Sequence, residues 1–336
     1  MKWPIKNSAV FNAVRNTDRS ATDLERVPES IESSRSHIIL LLVLSVSMVS
    51  SASILIRFSQ SDPLVIVFWR TLYGAILMAS IGVARNDVHA YRGPLMKKNW
   101  YWLLGIGVVL AFHFSTWFTS LFLTTVAASV VLVNTSPIFT AILSTVILGE
   151  ALRRRSWAGV IIAVSGAVLL AWSDLESVGT GALTGDLLAL LSGFLLAVYF
   201  IGGRRYAKGL PITVYTSVVY ITAAVVTLVQ CILLGINVIV LEPTEIVIFI
   251  ALAIFPTALG HSVNNYLLTL VPAYVVSSAV LGEPIGATLL AVVFLGEIPP
   301  PLTIVGFGII LFGIVLVLAD IARTERARGR LALDDT

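Results

Sequence analysis

The chain has little of what soluble proteins and enzymes are usually built from. Cys231 is the only cysteine among 336 residues, which excludes an intrachain disulfide and a cysteine-based metal site. Charged residues are equally scarce, at 12% against 57% hydrophobic, with a mean hydropathy of +0.94. A typical soluble domain carries about 25% charged and 45–50% apolar residues, so this chain could not clothe a globular surface in polar groups. A bilayer is the natural solvent for such a sequence, since it accepts apolar side chains on the outside of every helix. The net charge of +3 is too small to suggest a nucleic-acid partner.

Enzyme signatures are missing as well. Gly105-Ile-Gly107 and Gly179-Thr-Gly181 fail to extend into a dinucleotide fingerprint, and neither follows a strand. No phosphate loop, nucleophile elbow or His-Glu metal motif appears, and no cofactor is expected. Without a nucleotide-binding domain the chain is not a self-contained ATP-driven pump.

What is present is a series of long apolar runs. A span needs roughly 20 largely apolar residues, and runs of that kind lie near 37–58, 64–84, 101–121, 125–148, 156–173, 184–203, 212–235, 245–269, 272–295 and 302–320. Cytoplasmic loops are enriched in Lys and Arg. With the N-terminus inside, 20 of the 22 Lys and Arg fall in inner segments, leaving Arg57 and Arg70, while the outer loops around 174–183, 236–244 and 296–301 hold none. The expected fold is therefore an all-α integral membrane protein of ten transmembrane helices with both termini cytoplasmic. Residues 1–36 mix both charge signs and lack the apolar core of a signal peptide. They are expected to form a mostly disordered inner tail, and 321–336 a cytoplasmic tail at the other end.

The sequence also repeats itself. At a fixed offset of 147, Pro137 falls on Pro284, Leu148-Gly149-Glu150 on Leu295-Gly296-Glu297, Gly159 on Gly306 and Gly166 on Gly313. At 148, Arg57 meets Arg205, Pro63 meets Pro211 and His113 meets His261. The repeats cover 37–173 and 184–320, joined by an outer linker at 174–183. Five spans is an odd number, so the second copy must enter the membrane upside down, giving an inverted 5+5 repeat. The charges agree: Arg153-Arg154-Arg155 follow Glu150, whereas Ile298-Pro299-Pro300 follow Glu297. Inverted repeats give one chain two alternative packings around a site near the midplane, a signature of transporters.

Asn134-Thr-Ser-Pro137 with Leu148-Gly-Glu150, and Leu281-Gly-Glu283-Pro284 with Leu295-Gly-Glu297, resemble the paired EamA domains of the drug/metabolite transporter superfamily. Pro63 followed by Phe68-Trp69-Arg70 adds to the resemblance, which runs from about 38 to 320. It implies an alternating-access permease with the fourth and ninth spans near the centre and the fifth and tenth peripheral. The family's substrates are too varied to imply one. No Arg matches Arg70 in the second half, where Val218 falls.

Ionisable side chains deep in a span cost about 2.5–3.5 kcal/mol on insertion scales and usually face a cavity. Glu283, His113, His261 and Arg70 meet that description. Glu283 precedes Pro284, whose ring removes a backbone donor. Burial penalises a charged carboxylate, which suits a proton-coupling role; the alternative is a neutral or hydrogen-bonded brace of the proline kink. His113 with Trp117, and His261 with Asn265, lie four apart and so share helix faces. They can bind a substrate with polar and aromatic parts, or simply hydrogen-bond between helices. A metal site is not expected, because carboxylate and thiol partners are lacking. Asn134, Thr135 and Ser136 before Pro137 are cavity candidates in the place that corresponds to Glu283. Pro137 and Pro284 are candidate hinges, and Asn264 and Tyr199 further cavity candidates. Arg70 stands about six residues from an outer end, where it can snorkel to water and attract a substrate carboxylate. Glu150 and Glu297 read as caps for the helices that follow them. The glycine faces 159/166 and 306/313 suit close helix packing or a homodimer contact.

The expectation is a secondary transporter, a permease or exporter, of a small metabolite such as an amino acid or a related compound, with Glu283 the candidate for proton coupling. A non-transporting membrane assembly protein and a membrane-embedded enzyme are the alternatives.

Overall fold

A computed structural model describes residues 29–148, 154–177, 179–270, 276, 279–280, 282–313, 315–316 and 319. By its contacts the chain divides into a unit up to Leu40 and a second from Leu41 onward. The described part of the first is the beginning of helix α1 (Glu29–Ser50), which starts several residues before the expected edge of the tail at 36.

Every regular element among the described residues of the second unit is a helix. After α1 come α2 (Ala52–Phe58), α3 (Pro63–Ala84), a 3₁₀ turn (Asp87–Arg92), α4 (Pro94–Leu121), α5 (Val126–Val133), α6 (Ser136–Leu148), α7 (Arg154–Ser177), α8 (Thr180–Tyr206) and α9 (Ile212–Leu233). Then follow α10 (Pro243–Leu252), a π-helical turn (Ala253–His261), α11 (Ser262–Leu270), α12 (Glu283–Leu295) and α13 (Pro301–Gly313). Six stretches are long and apolar enough to cross a bilayer: His37–Phe58, Pro63–Ala84, Pro94–Leu121, Thr180–Tyr206, Ile212–Leu233 and Pro243–Leu270. Shorter apolar helices lie at Val126–Thr140, Trp157–Gly166, Glu283–Leu295 and Pro301–Gly313. This is a multi-pass membrane protein.

Local sequence explains where the helices begin. Pro63, Pro94, Pro243 and Pro284 occupy the first turn of α3, α4, α10 and α12, where the missing N–H costs nothing and φ is already helical. Asp62 caps α3 by accepting from the Leu64 N–H at 2.8 Å, and Thr125 caps α5 by accepting from Ala128 at 3.1 Å. Gly296 ends α12 with φ +66°, a left-handed conformation that a side chain would strain.

The two prolines do not kink continuous helices. The helix running from Val126 stops at Val133, turns through Asn134 and Thr135, and restarts at Ser136. In the second repeat a turn at Gly282 precedes a restart at Glu283. The restarted helices α6 and α12 are 13 residues each and coincide at the offset of 147. Pro137 and Pro284 thus sit at the starts of half-helices, where proline is tolerated, and the breaks lie just before them.

Elements that correspond through the repeat meet one another. The α3–α9 pair has the most extensive contact in the fold, and α5 packs on α12. The glycine faces of α7 and α13 lock together. A Cβ placed on Gly313 would lie 2.5 Å from the Gly159 oxygen, and one on Gly166 would lie 2.8 Å from the Ile310 nitrogen. These faces take part in intrachain packing, the first of the two expectations. Val160, Ala163 and Ile310 fill in around this seam, with Leu132 and Ile138.

Candidate functional site

Glycine lets the central helices approach closely enough to enclose side chains. A Cβ on Gly107 of α4 would come within 2.5 Å of Thr222 on α9, and one on Gly193 of α8 within 2.8 Å of the Val133 oxygen, at the break between α5 and α6. Between these helices lies a buried polar cluster in an otherwise apolar interior.

Arg70 of α3 is at its centre and has no exposed surface. It does not snorkel. Its Nε donates to Thr257 Oγ1 at 2.7 Å, and its guanidinium carbon lies 4.2 Å from the centroid of Phe114 and 5.2 Å from that of Phe118. The aromatic faces partly offset the desolvation of the cation, by about 2 kcal/mol where such a contact is dry. Nη1 and Nη2 are buried and without a protein partner. Such orphan donors are costly, at roughly 1–3 kcal/mol each and more when charged, so a fold retains them where something else supplies the partner.

Thr257 is in position because of the π-helical turn. Pro256 interrupts the regular ladder, and the extra residue per turn lets Thr257 Oγ1 donate to the Leu252 oxygen, five residues back, at 2.8 Å. Its oxygen therefore presents a lone pair to Arg70. Tyr220 Oη and Ser262 Oγ lie 3.0 Å apart beside the same turn. Such π turns recur at functional sites.

Glu283 is the first residue of α12, with 7% of its surface exposed. Asn134 Nδ2 donates to its Oε2 at 3.3 Å, so the two broken helices touch through their break residues. Ser50 Oγ reaches the Glu283 carbonyl at 3.5 Å. Glu283 and Arg70 lie within electrostatic range of each other, yet they are not among the ion pairs closer than 4 Å.

The histidine pairs divide in role. His113 Nδ1 is 2.7 Å from Ser192 Oγ and 3.0 Å from the Ser192 oxygen, and Ser192 Oγ donates in return to the His113 carbonyl at 3.0 Å. This imidazole ties α4 to α8. Asn265 Nδ2 donates to Tyr199 Oη at 2.6 Å and to the His261 carbonyl at 2.9 Å, tying α11 to α8. His113, Asn265 and Tyr199 thus link helices through hydrogen bonds. By contrast Trp117 Nε1, His261 Nδ1, Asn264 Oδ1 and Asn265 Oδ1 are buried without a partner. Trp117 lies 6.2 Å from the His113 ring in a stacked orientation, and His261 meets Phe114 edge-on at 5.3 Å. Ser136 is buried in the first turn of α6.

Glu297 caps a helix of the other repeat. Its Oε1 accepts from the Val126 N–H at 2.6 Å, at the start of α5 in the first repeat. Glu150 lies outside the described residues.

Several contributors escaped the sequence reading. Thr257, Tyr220 and Ser192 are ordinary hydroxyls with no spacing signal. Glu245 accepts from Ser59 Oγ, from the Gln60 N–H at 2.7 Å and from Ser61 Oγ at 2.7 Å, and Asp186 accepts from Thr124 Oγ1 at 2.9 Å. Both are buried carboxylates near the first residues of their spans. Burial of a carboxylate near the start of a span needs a partner as much as burial at the midplane does.

Comparison with known proteins identifies the class. The model of the EamA-like transporter family matches residues 36–172 and again 183–319. The chain belongs to that family, and it is a membrane transporter. It is 26% identical over 289 residues to an uncharacterized transporter of Archaeoglobus fulgidus, covering 85% of this chain and 98% of the relative. It is likewise 26% identical over 273 residues to the uncharacterized transporter YwfM of Bacillus subtilis, covering 80% and 89%. A protein of known crystal structure shares the fold with a TM-score of 0.62 at 21% identity, over 84% of this chain and 97% of that one.

Proposed function

We propose that the protein is a secondary carrier in the cell membrane, with ten spans, both termini cytoplasmic and the second repeat inverted. It moves a small polar metabolite, such as an amino acid or a related compound, by alternating access around the Arg70–Glu283 cluster. The observation that carries this reading is the set of orphan polar atoms: Arg70 Nη1 and Nη2, Trp117 Nε1, His261 Nδ1, Asn264 Oδ1 and Asn265 Oδ1 are all buried and unpartnered. Donors and acceptors of that kind can replace the water a polar solute sheds on entering a bilayer. The discontinuous helices that meet at Asn134 and Glu283 fit the same reading, since transporters place substrate at broken helices near a repeat interface. Binding there would satisfy the orphans, and rocking of α5–α6 and α12 would open the site to either side. Glu283 is the group that would carry a proton.

Solute counterflow in proteoliposomes tests this, using a panel of amino acids, nucleobases and sugar derivatives. Saturable exchange with at least one solute is the expected result. Absence of exchange with every solute, in protein shown to be folded, overturns the carrier reading and favours a non-transporting assembly role.

A further inference from the structure

We propose that an anionic group of the substrate seats on Arg70 Nη1 and Nη2, and that substrate and proton therefore bind together, the proton going to Glu283. This inference rests on the carrier reading and adds the sign of its coupling.

The seat is defined by what is already occupied. Thr257 takes the Nε side of the guanidinium and Phe114 covers a face. What remains is the edge bearing Nη1 and Nη2, both buried and unpartnered. Two parallel N–H donors on a planar fork match the two oxygens of a carboxylate. Aromatic rings stand beside it, with Phe114 and Phe118 against the guanidinium and His113 and Trp117 next to them, so a carboxylate that carries an aromatic body is a suitable probe of the seat.

The sign follows from Coulomb's law. With the seat empty, the Arg70 charge favours an ionised Glu283. An anion paired to Arg70 cancels that field and adds repulsion of its own, so protonating Glu283 becomes more favourable. The proton comes from solvent and forms one O–H bond on the carboxylate. Reciprocity requires that the protonated Glu283 strengthen anion binding by the same factor, on the order of 5–150-fold for a typical coupling. A ligand that placed a cation beside Glu283 would instead expel the proton. The charged and titratable groups around the pair are Arg70 on α3, Tyr220 on α9, His113 on α4 and His261 on the π turn. The polar neighbours of Glu283 on α5 and α1, Asn134 and Ser50, do not titrate.

Three probes sharing one aromatic body separate the possibilities: 3-phenylpropionate, phenethylamine and phenylalanine. Calorimetric titration of the full-length protein in detergent, in two buffers of different ionisation enthalpy, reads affinity and proton uptake together. The expected result is that 3-phenylpropionate binds wild type with proton uptake and at least about fivefold more tightly at pH 6 than at pH 8. Glu283→Gln should bind it with no uptake and without that pH dependence. Arg70→Gln should not bind it. Should that variant not fold, Thr257→Val keeps the charge while freeing the Nε side, and is expected to weaken binding while preserving uptake. Proton release on binding, unchanged pH dependence in Glu283→Gln, full binding by Arg70→Gln, binding of phenethylamine alone or binding of none of the three overturns the proposal. The counterflow panel decides the carrier reading independently.

Discussion

The two repeats build the same scaffold and furnish it differently. Both break a helix just before a proline and restart it for 13 residues, but the first break presents the amide of Asn134 and the second the carboxylate of Glu283, and the two side chains meet. The first repeat supplies Arg70 on α3, fully buried, while Val218 stands at the matching place on α9 and lines only an apolar groove with Ile76 and Ile221. Cation and carboxylate therefore come from opposite repeats, and charge balance in the cluster exists only when the repeats are assembled. The duplicated backbone gives symmetry; the side chains at a handful of positions break it.

The largest effect in testing this asymmetry is expected at Arg70. Arg70→Gln should lower exchange about 100-fold or more, in keeping with the loss of a charged, fully buried partner (about 3–5 kcal/mol). Val218→Ala should leave exchange near wild type. Equal losses in the two would mean that the seam between α3 and α9, and not the guanidinium, is what transport needs. Next comes the glycine seam, where the repeats are most alike. Gly313→Val inserts bulk where a Cβ already lies 2.5 Å from the Gly159 oxygen and should destabilise by about 1–3 kcal/mol. Gly308→Ala meets nothing within 4 Å and should leave the midpoint of thermal unfolding unchanged. Smaller again is the loss of the Glu297 cap. Glu297→Ala should cost about 0.5–2 kcal/mol as α5 loses an acceptor for the Val126 N–H, visible as faster amide exchange there. The smallest is Ser192→Ala, which removes one tie between α4 and α8. At about 0.6 kcal/mol for an interhelical bond in membranes, it should lower thermal stability slightly and leave exchange intact. A large loss of exchange would move His113 from brace to binding residue.

The family and the helical class are legible in the sequence because each rests on a strong physical signal, and Arg70 and Glu283 stand out as candidates by the same logic. An apolar run is costly anywhere but a bilayer, and a charge within it is costly unless enclosed. The same logic failed where position was taken for environment. Arg70 was expected to reach water from six residues inside an end, but tertiary packing against Phe114 and Phe118 closed that route. Glu297 reads as a cap for the helix that follows, and its Oε1 also serves α5 across the fold, a contact that no local pattern encodes. Thr257 was invisible because its role comes from the π turn, a change of helical register that hydrophobic periodicity does not report. His113 and His261 match through the repeat, but only the packing of α8 tells that the first is held by Ser192 while the second keeps a free nitrogen.

The seam between α7 and α13 bears on how such a molecule changes shape. Where Gly159, Gly166, Gly306 and Gly313 bring two backbones into contact, only short or flanking side chains such as Ala163 and Ile309 reach into the seam, and the alternating access proposed above would have the helices roll on each other there while staying in touch. That is the behaviour of a fulcrum. Motion should be least there and grow with distance from it, which pairs of spin labels can map: separations across the seam should hold constant between conformers while those across the α5–α12 contact change. A pivot made of backbone has a further consequence. Its close approach rests on the glycines, so under the proposed mechanism the lever arms around it could be refitted for different cargo without moving the axle.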